Sequence, residues 1–230
     1  MKANTPSLIL FFAASAFVIV FKMMQYDSLM LYAKAVLIPS LFIYYFVSNN
    51  YKITPYKLLI FFLFFVRDIF NTLLIKESAL GAFLCVLIVY IMLFKLSYKD
   101  FKYIKFNFRD GLSLFVLIVA VSAICFSVLN LKLENLELDF PFYVFFGIVL
   151  SVLSIVSITN YTKNGTYAFF YSMMMCVCFI VTDIFFILYK FYFYNYVFTL
   201  ISIITQVLSY FFMVNYFLEK DKFKEDTINF

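Results

Sequence analysis

The chain contains no histidine and no tryptophan, and only four glycines, four prolines and four cysteines in 230 residues. Without histidine there can be no Ser-His-Asp triad and no imidazole-based metal site. The cysteines, Cys85, Cys125, Cys176 and Cys178, all fall inside long apolar runs, which argues against a disulfide framework or a structural zinc site. Scarce glycine and proline within those runs argues against the broken helices on which many transporter sites are built. Charge is also sparse. Charged residues make up 13% of the chain against 66% hydrophobic, and the mean hydropathy is +0.99. A chain so composed has too little polar surface to fold as a soluble globule.

What it has in quantity is apolar runs of about 20 residues, the length of a membrane-crossing helix. Only α-helices and closed β-barrels satisfy the backbone in lipid, and barrel strands would alternate polar with apolar residues. The fold class is therefore all-α, a polytopic membrane protein with eight transmembrane helices. They are expected at about residues 7–24, 28–48, 55–75, 79–97, 111–131, 140–159, 167–189 and 197–218. The first is read as a retained helix, because its apolar core is long and no small-residue cleavage site follows. A single domain, 1–230, ends in a mobile charged tail over 219–230. The polar segment Tyr98–Asp110, with Lys99, Lys102, Lys105 and Arg109 three or four apart, is read as a short basic surface helix or as a solvated loop that fixes orientation.

Twelve lysines and arginines fall on the face carrying both termini, against four on the other, Lys22, Lys76, Lys132 and Lys190. The positive-inside rule then makes both termini cytoplasmic, in what is expected to be a bacterial plasma (inner) membrane. Two polar stripes stand out. Gly147, Ser151, Ser154 and Ser157 in the sixth span mark a close-packing face, and Thr199, Ser202, Gln206 and Ser209 in the eighth must face protein or water.

Four ionisable groups lie deep in the spans: Lys34, Arg67, Asp68 and Asp183. Such a group costs about 2.5–3.5 kcal/mol at bilayer depth, so it is usually functional, paired or both. Counted from the outer ends of their spans, all four share one layer in the non-cytoplasmic half. Val66-Arg-Asp-Ile-Phe70 also matches Val181-Thr-Asp-Ile-Phe185 at four positions of five, four spans apart, the mark of a possible 4+4 internal duplication. Asn71 and Thr72 give Asp68 a polar face, whereas Phe179, Ile180, Phe186 and Ile187 give Asp183 an apolar one. Two carboxylates in unlike surroundings are the pattern for an acid and base division of labour, with Asp183 the protonated acid and Asp68 the ionised member. Adjacent residues point about 100° apart on a helix, so adjacency alone does not make Arg67 and Asp68 partners, and Arg67 is read either as pairing with Asp68 or as reaching Asp183 on another helix.

The order of these motifs resembles the YhhN family of integral membrane lysoplasmalogenases over most of the chain. The matching positions are Lys34 in Tyr-Ala-Lys-Ala, Asp68 in Val-Arg-Asp, Gly81 and Phe83 ahead of Tyr90, Asp183 in Val-Thr-Asp, and Gln206 in Ile-Thr-Gln. Ala35 stands where the family has Pro, Arg67 where it has Gly, Thr182 where it has Ser, and the histidine of its fourth span is missing. The resemblance implies hydrolysis of the vinyl ether bond of a lysoplasmalogen, without a metal or other cofactor, to a fatty aldehyde and a glycerophospho-ethanolamine or glycerophosphocholine. It assigns catalysis to Asp183 and Asp68. Lys34 or Arg67 would hold the lipid phosphate, with Gln206, Tyr90 and Asn71 on the substrate. Expected partners are a lysophospholipid or other lipid substrate and membrane lipids, not nucleic acid. Two readings of other classes stand beside it: a transporter or proton-coupled carrier using the same charges, and a non-catalytic lipid-binding protein.

Overall fold

Each apolar run folds as the helix its length implies. The computed structural model describes residues 4–71, 76–102, 104, 107–131, 139–193 and 195–228. The helices are α1 (Thr5–Met23), α2 (Asp27–Ser48), α3 (Pro55–Phe70), α4 (Lys76–Phe101), α5 (Phe108–Leu129), α6 (Phe140–Asn164), α7 (Tyr167–Ile187) and α8 (Tyr196–Ile228), and a π-helical turn, Leu188–Tyr192, extends α7. Seven are long and apolar enough to cross a membrane, and among the described residues there is no strand. The protein is an integral membrane protein. In α3, 16 residues are described, and the rest of its expected span, 72–75, lies outside the described residues together with Thr72 of the anticipated polar face.

Local chemistry sets the ends. Proline occupies the first turn of α1, α3 and α6, where its missing N–H has no partner to lose. A capping box opens α5, in which the Asn107 N–H donates to Asp110 Oδ2 at 2.8 Å. Gly165, at φ +58°, closes α6 in the left-handed conformation that glycine adopts without strain.

Two expectations change at this level. The basic segment is not a separate helix, because Tyr98–Phe101 is the last turn of α4 and α5 starts at Phe108, while residues 103, 105 and 106, Lys105 included, lie outside the described residues. The tail is helical as far as Ile228, continuing α8 beyond the expected end at Leu218. Phe217 and Asp221 fall one turn apart on this extension, which gives Asp221 a face to dock with.

The chain packs as two compact units, one of residues 1–89 with 213–230 and the other of residues 90–212. Their boundaries pass through α4 and α8 and do not follow the halves 7–97 and 111–218 of the anticipated duplication. In the first unit, Tyr45 of α2, Phe61 of α3 and Phe217 of α8 meet with ring centroids 5.7–6.2 Å apart. Beside them Lys57, 4% exposed, makes a 2.6 Å ion pair with Asp221. Tyr45 donates its hydroxyl to the other Asp221 oxygen at 2.7 Å, and the ammonium lies over the Tyr45 and Phe217 rings at 5.4 and 5.1 Å. In α4, Gly81 permits close approach to α3, since a Cβ there would sit 2.9 Å from the Phe70 ring.

In the second unit α6 carries the close-packing stripe its sequence announces. A Cβ on Gly147 would lie 2.8 Å from Cys125 Sγ of α5. Ser154 and Ser157 are fully buried, Ser154 donating to the Leu150 carbonyl at 2.7 Å and Ser157 accepting from Ser172 of α7 at 3.2 Å. Asp110 at the start of α5 is ion-paired with Lys163 at the end of α6.

The Lys57–Asp221 pair makes a sharp prediction. Removing one member strands the other in a nearly dry site, so Lys57→Met should cost about 3 kcal/mol. The double variant Lys57→Met, Asp221→Leu should recover most of that in thermal unfolding of the detergent-solubilised protein.

Candidate functional site

α7 brings Asp183 to a position where one carboxylate meets an aromatic wall. Asp183 Oδ2 accepts the Tyr90 hydroxyl at 2.8 Å. Tyr90, 1% exposed, is held by Phe179 one turn before Asp183 and by Phe146 of α6, with ring centroids 4.8 and 5.2 Å away. Those contacts fix the hydroxyl and, through it, the carboxyl group.

Asp183 also lines a cavity of about 80 Å³ between α5, α6 and α7. Its walls are mainly aliphatic, with Val121, Ile124 and Val128 from α5, Leu150 from α6, and Ile180, Ile184 and Ile187 from α7. Cys125, Tyr143 and Ser151 supply further polar atoms, and Asp183 is the one carboxylate among the described residues of the lining. The apolar surround expected of Asp183 is therefore present, in the form of a cavity wall. Ser151, assigned from sequence to a packing stripe, belongs to the cavity instead.

The residue next to Asp183 does different work. Thr182, 4% exposed, shares a 2.8 Å hydrogen bond with Thr205 of α8, and Ser202 donates to the Thr182 carbonyl at 3.1 Å. Thr199, Ser202 and Ser209 are buried, so the polar stripe of α8 faces protein, one of the two options its sequence allowed. Gln206 donates to the Tyr210 hydroxyl at 2.8 Å, a contact within its own helix.

Asp68 lies in the first unit and Asp183 in the second. Asp68 is 3% exposed and takes an ion pair from Arg67 Nη1 at 3.3 Å. Of the readings open to Arg67, the pairing with Asp68 is present. The Cα–Cβ directions diverge, but the arginine side chain is long enough to fold back over its neighbour. Lys34 of α2 is within electrostatic reach of both Asp68 and Arg67, so these three form one charged cluster. Asn71, the residue that ends α3, is exposed.

Sequence reasoning placed Lys57 at the start of the third span and Asp221 in a mobile tail, and missed their pairing, because it joins residues 164 apart in the chain. Tyr143 and Cys125 carried no signal beyond their place in apolar runs. Comparison with protein-family models, with curated proteins and with solved structures finds no match.

The Tyr90 contact can be weighed directly. Tyr90→Phe keeps the ring packing but takes the donor from a carboxylate on an apolar wall, which should cost about 1–3 kcal/mol. The same substitution at Tyr98, exposed on the same helix, should leave the thermal unfolding midpoint within error of the parent.

Proposed function

We propose that this protein is a membrane hydrolase that cleaves the vinyl ether bond of a single-chain ether lipid, in the manner of a lysoplasmalogenase. The observation that carries the reading is Asp183, a carboxyl group oriented by the Tyr90 hydroxyl on the wall of an aliphatic cavity within the membrane-crossing helices. The motif order described above supports the substrate class.

Vinyl ether hydrolysis asks for one positioned acid. A proton passes from the acid to the β-carbon of R–CH=CH–O–R′, and the π electrons form the new C–H bond, leaving an oxocarbenium ion. Water adds to that cation and loses a proton to the carboxylate. The hemiacetal then collapses to R–CH₂–CHO and the free alcohol HO–R′. Asp183 takes the acid role, and Tyr90 holds its carboxyl group toward the cavity. An aliphatic wall keeps bulk water from competing for the proton.

The Lys and Arg asymmetry supports cytoplasmic termini and a bacterial plasma membrane. The Asp-Ile-Phe recurrence four spans apart supports descent from a duplicated four-helix unit.

Purified protein given lysoplasmenylethanolamine or lysoplasmenylcholine should release fatty aldehyde, while the corresponding ester lysolipids stay intact. Asp183→Asn should lower the rate by at least about 100-fold, the lower bound of what a general acid contributes. Wild-type turnover by that variant would remove the acid assignment.

A further inference from the structure

We infer that the Asp183 cavity admits one aliphatic chain sideways from the bilayer, past α5, and excludes the lipid's phosphate. The inference rests on the reading of this cavity as the reaction site. Among the described lining residues there is no cation to offset the cost of burying a phosphate, while the aliphatic wall accommodates a hydrocarbon chain. At about 80 Å³ the cavity is far smaller than the roughly 300–1,000 Å³ of pockets that enclose whole ligands, so it takes a segment of chain and leaves the rest outside. The wall on the α5 side is thin. Ile124, in the lining, is 46% exposed, and outward-facing Phe115, Val119 and Phe126 are at least half exposed, so a single helix separates the cavity from lipid. That helix seats on α6 where Gly147 meets Cys125, both of them lining residues. From Leu129 to Val121 the α5 wall spans eight residues, about 12 Å along the axis, with Asp183 facing it from α7.

The test uses a saturated 1-O-alkyl lysophospholipid, which has no vinyl ether to cleave, with a diazirine on its chain, photolysed with the full-length protein in vesicles. Adducts should concentrate on Ile124, Cys125, Leu150 and Ile184 and fall about tenfold in Ile124→Trp, the loss that 1.4 kcal/mol of binding represents. Ile124 is half exposed, so the bulky rim substitution should leave folding intact, to be checked by the unfolding midpoint. Adducts spread evenly over Phe115, Val119 and Phe126, and unchanged in Ile124→Trp, would overturn the inference. Adduct formation needs no turnover, so adducts without aldehyde would fault the hydrolase reading alone, and aldehyde without cavity adducts would fault this one alone.

A separate observation in the second unit points to an internal water. Asn160 donates from Nδ2 to the Ser97 carbonyl at 2.9 Å, joining α6 to α4, yet Asn160 Oδ1 and Ser97 Oγ have no hydrogen-bond partner, and both residues are 1% exposed. Ser15 and Ser154 bond back to a carbonyl of their own helix, whereas among the described residues Thr199 Oγ1, like Ser97 Oγ, has no partner but lacks a second unsatisfied atom on a neighbouring bonded side chain. The geometry points to one water held by Ser97 Oγ and Asn160 Oδ1. If so, Ser97→Ala removes a partner of that water and lowers the unfolding midpoint. A dry site would instead be relieved of an orphaned hydroxyl, and a midpoint unchanged or raised would overturn the proposal.

Discussion

The constraint on which this structure depends is the cost of charge in a medium that cannot solvate it. Among the described residues, the ionisable groups drawn into the helices meet it in three ways. Lys57 and Asp221 neutralise each other under two aromatic rings. Arg67 folds onto the adjoining Asp68 with Lys34 close by. Asp183 meets the hydroxyl of Tyr90. The first two are pairings of opposite charge and give rigidity. The third joins a carboxyl group to a tyrosine hydroxyl beside a cavity.

This distinction separates scaffold from site. The Lys57 cluster ties α2 and α3 to the end of α8. Asp183 faces empty space bounded by branched aliphatic side chains, with its orientation set by a tyrosine that is itself locked by two phenylalanines. Positioning of that kind is what proton transfer to carbon requires, because the acid must be aimed before substrate arrives.

Much of the fold was legible because lipid permits so few backbone solutions. Run length alone located the eight helices, and residues with a local signature behaved as read: Gly147 at a close approach, the α8 hydroxyls turned inward, Lys34 near Asp68. Pairings between distant elements were not legible. Nothing local marks Asp221 as the partner of Lys57, and a helix that outlasts its apolar run reads as a polar tail. The partner of Arg67 was left open for a different reason, since helical angles describe where side chains begin and not where four flexible bonds let them end. Asp183 was visible as a lone carboxylate in an apolar span, but the cavity beside it depends on how three helices splay, which no single helix encodes.

The most direct measurement is turnover of lysoplasmenylethanolamine in D₂O with mass analysis of the aldehyde released. Acid transfer to the β-carbon predicts one deuterium at the carbon next to the aldehyde, incorporated at a rate that collapses in Asp183→Asn. Aldehyde carrying no deuterium, or deuterated aldehyde formed as fast by the variant as by the parent, would contradict the account.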